Sequence, residues 1–392
     1  MRKNLSIKVY SPQNNFLKEW TNAKFQGFTK QINGGLGECV LTLPEKFDYS
    51  GAELAENNSV IITIADKDTK NVEMNGLVIY SGYISFYEPD ASGKNESITV
   101  HLLGHYTKLA MDILKHGAQT TLYSCAIGLQ TAAGSSDGDA GIIMNAILAR
   151  YAAETADHKL TALSIPVVGQ NLNYVFAQMT YREALDIAIS ACPDNYFYYI
   201  NAYGGFVLKT QDSQPRHEFV RGKNMSKIHV GRSMENIRNV VLFWNGASVY
   251  REYSDLDSVG KYGRRVQRIT DKNVQNEISA DNIAAKYLAE HKDPDIIITC
   301  TIPDNNLYMT EGLLKGYDIE SIEPGDTCRF VGFDDENAYV FRDNMVVTQV
   351  QYSLYSAVIT IQNLKTDLVY QAKSAQSQIN QINANGVPDS YT

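Results

Sequence analysis

Three sets of residues in this sequence have the type and spacing to do chemistry. Gly134-Ser135-Ser136-Asp137-Gly138 matches the GxSxG pattern, which in hydrolases exposes a nucleophilic serine on a sharp strand-to-helix turn. That turn needs a buried strand directly before the serine, inside an alternating α/β sheet. Gln130-Thr131-Ala132-Ala133 is no such strand, so a linker is the better reading. Carboxylates cluster at Asp137 and Asp139, at Asp255 and Asp257, and at Asp334-Asp335-Glu336. A hard cation needs several oxygen ligands, but these groups lack calcium-loop spacing, and caps and turns account for them. Tyr196-Phe197-Tyr198-Tyr199 could stack on sugar rings, although cross-strand packing is the commoner use of such a run.

The remaining reactive side chains are scattered. The seven histidines stand alone, without an HExxH or paired spacing. His101 lies on a strand opposite the Ile98/Val100 face, as a structural histidine would. Cys39, Cys125, Cys192, Cys300 and Cys328 are odd in number and contain no CxxC pair. They read as buried reduced thiols rather than as a disulfide framework or a zinc site. Paired carboxylates for glycoside cleavage are set by tertiary distance and are invisible at this level. The sequence therefore assigns no catalytic, cofactor-binding or metal residue.

The elements that position these residues are mostly strands. Residues 1–104 alternate with period two: Cys39, Leu41 and Leu43 share one face, as do Val60, Ile62 and Ile64. A long run from Gly76 to Tyr87, with Ser81 and Gly82 as a bend point, turns through Asp90–Asn95 into Ser97–Leu103, a hairpin by pattern. The period then changes. Tyr106–Lys115 predicts a helix with Leu109, Ile113 and Leu114 on one stripe. Asp139 is placed to cap a helix running to Glu154, with Ile142, Ile143, Ala146, Ile147 and Tyr151 inward. Thr180-Tyr181-Arg182-Glu183 is a capping box opening a third helix, which Pro193 ends. Two strand-like runs flank Asn201–Gly205, where glycine is available for positive φ. Strands resume at Ser226–Val230 and Asn239–Trp244, a helix follows at about 279–291, and residues 296–364 return to β.

Composition bounds the function. At 392 residues, 44% hydrophobic and 20% charged, the chain supports two to four domains with sizeable cores. No run is long and apolar enough for a membrane span. The N-terminal residues lack the apolar segment of a signal peptide, so synthesis and assembly in a cytoplasm are expected. A net charge of −9 lacks the basic footprint of a nucleic-acid binder. It suits a surface past which DNA slides without sticking. The 25 tyrosines fit a β-rich assembling protein.

Several stretches resemble the baseplate hub family of phage and tailocin tails. Gly82-Tyr83-Ile84 through Val100-His101-Leu102, followed by Gly104-His105-Tyr106, is similar to the end of that family's first barrel. Thr180–Leu185 with Gly204-Gly205-Phe206 resembles its middle domain. Asn236–Val241 resembles its strand entering the second barrel. Asp257-Ser258, Lys261–Arg265 and Ala284–Ala289 continue the series, which covers most of the chain.

The resemblance implies a mainly β fold with α+β parts. Residues 1–104 would form a first antiparallel β-barrel and 105–215 a middle α+β domain. Residues 216–250 with 296–365 would form a second barrel, interrupted by a helical excursion over 251–295. Three such chains would close a ring that adapts the hexameric tail tube to the threefold tip or spike. The ring would line a channel for DNA or tape-measure protein within the virion's tail tip. Its partners would be two further copies, the tail tube or distal tail protein, the tape-measure protein and the tip protein. Neither sequence-specific nucleic-acid binding nor membrane insertion is implied. The alternatives are a tail-associated peptidoglycan hydrolase and a glycan-binding host-recognition module. In the tail, 366–392, the 4-3-4-3 spacing of Leu368, Ala372, Ala375, Ile379 and Ile382 predicts a thin helical seam over 367–383. Gly386-Val387-Pro388 would end it.

Overall fold

The computed structural model describes residues 3–44, 51–66, 76–92, 95–114, 139–155, 157, 159–169, 179–190, 192–193, 196–244, 246, 250–270, 291–304, 317–332 and 345–362, with a few positions between 280 and 288. Seven strands come first: β1 Lys3–Tyr10, β2 Phe16–Glu19, β3 Lys24–Gln31, β4 Leu36–Leu43, β5 Ser59–Asp66, β6 Leu77–Ser92 and β7 Asn95–Gly104. Helix α1 (Ala140–Thr155), β8 (Thr161–Ser164), α2 (Tyr181–Ser190), β9 (Tyr196–Ile200) and β10 (Gly205–Thr210) follow. Then come β11 His217–Val220, β12 Lys227–Ser233, β13 Val240–Trp244, β14 Tyr250–Ser254, α3 Leu256–Tyr262 and β15 Val266–Thr270. The last four strands are β16 Asp295–Pro303, β17 Thr327–Val331, β18 Met345–Tyr352 and β19 Ser356–Gln362.

The mainly β expectation holds, and most strands join one 13-stranded sheet. Its path runs β12-β16-β19-β18-β3-β4-β7-β6-β5-β1-β2, with β11 and β17 branching off β18. The early and late β regions meet where Gln349–Tyr352 pairs antiparallel with Phe28–Gln31. On the same strand, Met345 and Val346 pair with β17 instead. At the seam Phe28 packs on Tyr80 and Tyr352, with ring centroids 5.0 and 5.2 Å apart. Gly27 sits there at φ 122°, and a Cβ on it would lie 2.4 Å from the Tyr352 carbonyl oxygen, so only glycine lets the strands approach.

Period-two burial holds the sheet on its core. Cys39, Leu41, Leu43, Val60, Ile62 and Ile64 all point inward with Val100 and Leu102. Ile298, Cys300, Ile302, Ile359 and Ile361 extend the same contiguous cluster from the late strands. Each such side chain contributes roughly 2 kcal/mol by leaving water. Burial also pushes the Cys192 and Cys300 thiols up to about 12, so they are inert as nucleophiles at neutral pH. Cys125 lies outside the described residues.

A second core joins α1, α2 and the small sheet β8-β10-β9. Asp139 caps α1 as expected, and Ile143, Ile147 and Tyr151 face inward, joined by Met144 and Leu148. The capping box at α2 closes reciprocally: the Thr180 N–H donates to Glu183 at 2.7 Å and the Glu183 N–H to the Thr180 hydroxyl at 3.2 Å. The β9–β10 turn uses Gly204 at φ 79°.

Two expectations need correction. The helix expected over Tyr106–Lys115 is a 3-10 turn, His105–Ala110. Beyond it the Leu114 N–H donates to the Met179 carbonyl and Ile113 bridges to Thr180, so the chain extends and Ile113 is exposed. In β6 the register shifts against β7 between Ile84 and Phe86 and against β5 between Val78 and Tyr80. The excursion over 251–295, expected to be mostly helical, contributes two strands. β14 and β15 flank β13 in a separate three-stranded sheet, on which Ala280, Ala284 and Tyr287 pack.

Candidate functional site

The GxSxG stretch, Asp137, Asp334-Asp335-Glu336 and the tail seam all lie outside the described residues. The other candidate carboxylates do structural work. Asp139 Oδ1 accepts from the Gly141 N–H at 2.8 Å, and its Oδ2 accepts from the Val168 and Gly169 N–H groups at 3.0 and 2.6 Å. One buried side chain thus caps α1 and anchors the 168–169 loop. Asp255 caps α3 by accepting from the Ser258 N–H at 2.9 Å and also pairs with Lys292 at 3.0 Å. Ser258 and Lys292 together hold its carboxyl below the ordinary range. Among the described residues no group of three His, Cys, Asp or Glu could hold a metal ion.

The aromatic run proves to be packing. Phe197 and Tyr198 are fully buried, and the Lys209 ammonium lies 5.6 Å from the Phe197 and Tyr199 ring centres. His101 stacks on Phe86 at 4.1 Å, and its Nδ1 lies 2.6 Å from Glu38 Oε1.

A cluster that sequence reasoning missed looks superficially catalytic. His217 Nε2 lies 3.0 Å from Asp326 Oδ2, and its Nδ1 lies 2.8 Å from the Tyr317 hydroxyl. Asp326 also accepts from Lys209 at 3.2 Å, from Arg216 at 2.9 Å and from the Glu323 N–H at 2.8 Å. Burial opposes its charge, but His217, the Glu323 N–H, Lys209 and Arg216 outweigh it, so the carboxyl titrates below the ordinary range. His217 is 4% exposed and the Asp326 side chain 0%, leaving no approach for a substrate. The cluster ties β10, β11 and the turn before β17 together. A companion knot forms at Asn33, whose Oδ1 accepts from the Tyr198 N–H at 3.1 Å while its carbonyl accepts from the Tyr106 hydroxyl at 3.1 Å. These two knots fasten the helical unit to the sheet.

A shallow cleft of about 220 Å³ opens beside Asp112, Ile113, Glu154, Thr155 and Tyr181. It is smaller than the pockets that enclose small-molecule ligands. Among the described residues the Tyr181 hydroxyl closes it by donating to Glu154 at 2.6 Å.

What the architecture does present is edges. β2 ends the sheet path on one side and β12 on the other, and among the described residues each pairs with a single neighbour. Phe16 on β2 and Val230 on β12 are exposed. An unpaired strand edge is a template for association unless a partner covers it. These two edges are the candidate functional surface.

Solved structures share this arrangement over nearly the whole chain. A 43 kDa tail protein of prophage MuSo2 from Shewanella oneidensis aligns with a TM-score of 0.60 at 10% identity, covering 93% of this chain and 99% of that one. The fold is a phage tail-protein fold. A tail protein from Neisseria meningitidis MC58 aligns at 0.56 with 12% identity, over 93% and 99% of the two chains. The prophage tail protein gp18 of Listeria monocytogenes EGD-e aligns at 0.51 with 12% identity, over 97% and 99%. No family model matches the sequence, and no curated relative matches it either.

Proposed function

We propose that this chain is a structural subunit of a phage-type tail, a baseplate hub protein that closes a homotrimeric ring and carries no catalysis. The observation that carries the reading is the end-to-end likeness of its fold to three tail proteins. Each is itself covered almost completely, so no separate enzymatic domain is left over in them. The 13-stranded sheet, whose end strands each pair with one neighbour among the described residues, supports it, because ring closure is a direct way to cover edges without open-ended growth.

In this reading residues 1–104 curl into one barrel and 216–250 with 296–365 into a second. The α+β unit over 105–215 braces the two. The ring adapts the tail tube to the threefold tip and lines a channel for DNA or tape-measure protein, at the tail tip of the virion. The acidic chain keeps that bore from holding phosphate.

Light scattering on the protein, alone and mixed with its tube protein, tests the proposal. A closed trimer that binds the tube end is expected. A strict monomer in both samples, or a twofold dimer as the sole assembly, overturns it. Clearing of cell-wall substrate on a zymogram would favour a peptidoglycan hydrolase instead.

A further inference from the structure

Charge is distributed very unevenly along this chain. Residues 221–270 carry ten Lys and Arg against four Asp and Glu, a local charge of +6 in a chain whose total is −9. We propose that this basic surface docks the acidic outer face of β4, β7 and β6 on a second copy of the chain. The inference rests on the ring reading and names the surfaces that would meet in it.

Arg264 pairs with Glu252 at 2.9 Å and Arg251 with Asp281 at 3.5 Å, whereas three other arginines of the basic surface are held in place by neutral groups. Arg265 donates to the Met234 carbonyl at 2.7 Å. Arg238 donates to the Glu235 and Ile237 carbonyls at 2.9 and 2.7 Å. Arg232 donates to the Tyr262 hydroxyl at 3.3 Å. Among the described residues these hydrogen bonds run to neutral oxygens, so the guanidiniums keep their charge while losing little further freedom on binding. Beside them Arg268 lies 5.0 Å over the Trp244 ring, and the register of the three-stranded sheet sets Tyr250 directly across from Trp244. Tyr250 is 68% exposed and Leu256 78%. Tryptophan, tyrosine and arginine are the residue types that concentrate binding energy at protein interfaces.

The opposite surface has matching chemistry. Glu38 and Glu88, with side chains 52% and 69% exposed, both approach His101, at 2.6 and 3.8 Å. Asp90 shares their face two positions beyond Glu88. Phe86, 42% exposed and stacked on His101, supplies the apolar centre. Carboxylates around an aromatic ring complement guanidiniums around another. The two surfaces are distinct, one running from the β12 end of the large sheet to the three-stranded sheet and the other on β4, β7 and β6, so the contact is head-to-tail, the kind that closes a ring. A nucleic acid is the weaker occupant, because the remainder of the chain repels a polyanion.

The test uses three variants of the full chain: R232E/R268E, E38K/E88K and the combination of all four changes. Light scattering across a dilution series reads the association constant, repeated from about 0.05 to 0.5 M salt. Each double variant is expected to weaken association about tenfold or more, and the fourfold variant to restore it to within about threefold of wild type. Wild-type association should itself weaken with salt. Restoration in the fourfold variant also establishes that the doubles fold. Association of normal strength in both doubles overturns the docking while leaving the ring reading intact. A wild type that is monomeric at every concentration overturns the ring reading and the docking together. Labelled duplex DNA bound by wild type and lost in R232E/R268E, with oligomeric mass unchanged, would assign the face to nucleic acid and overturn the proposal.

Discussion

His105 makes the protein's acid stability open to direct measurement. It is buried at the end of β7, beside the Tyr83 ring, and among the described residues neither ring nitrogen has a hydrogen-bond partner. Burial lowers its pKa from 6.5 to about 4; Asp157 pulls it upward, and Lys108 and Lys159 push it further down. The native state thus binds the proton less readily than the unfolded chain. The stability this contributes is full above pH 6.5 and is lost as pH falls toward 4. A shift of 2.5 units corresponds to about 3 kcal/mol in all, of which about 2 kcal/mol is gone by pH 5. Asp186 works the other way over the same range, because burial raises its pKa to about 6 against Arg182 and Tyr198. The wild-type curve therefore mixes both groups, and a difference experiment is needed. His105→Phe keeps a ring against Tyr83 and removes the proton site. Urea unfolding followed by circular dichroism at pH 7.5 and pH 5.0 gives the stability gap between variant and wild type. That gap should grow by about 2 kcal/mol in the variant's favour on acidification. A gap independent of pH would refute the reasoning.

Three further substitutions probe named contacts. Asp326→Asn removes the anion facing His217, Lys209 and Arg216 and should cost roughly 3 kcal/mol in urea unfolding. Asp139→Ala should cost about 2 kcal/mol, the upper end for a lost helix cap, because the same carboxylate holds Val168 and Gly169. Limited proteolysis should then cut first near that loop. Gly27→Ala forces a Cβ toward the Tyr352 carbonyl at the seam and should cost roughly 2 kcal/mol or more, read as a lowered thermal midpoint.

Features set by local chemistry were legible in the sequence. The alternation of Val60, Ile62 and Ile64, the Asp139 cap, the Thr180–Glu183 box and the turn through Gly204 each depend on neighbours within a few positions. Features set by distant partners were not. Leu109 and Ile113 carry helical spacing, yet pairing with Met179 and Thr180 drew the chain out of the helix. β13 has the pattern of any buried strand, and only its partners β14 and β15 decide which sheet holds it. His217 and Asp326 stand 109 positions apart, and neither carries a local motif that announces the other. The resemblance reached the tail-protein fold because it used the order of many weak segments rather than any single one.

The pairing of β18 with β3 also sets a timetable for biosynthesis. Residues 349–352 hydrogen-bond to residues 28–31, so the central seam cannot close until residue 352 has left the ribosome. Until then β3 waits with one side of its backbone unsatisfied. Sheets that depend on such remote pairing fold slowly and expose sticky intermediates. A nascent chain of this design has no finished seam until then. A chain cut short before residue 349 therefore cannot form this pairing.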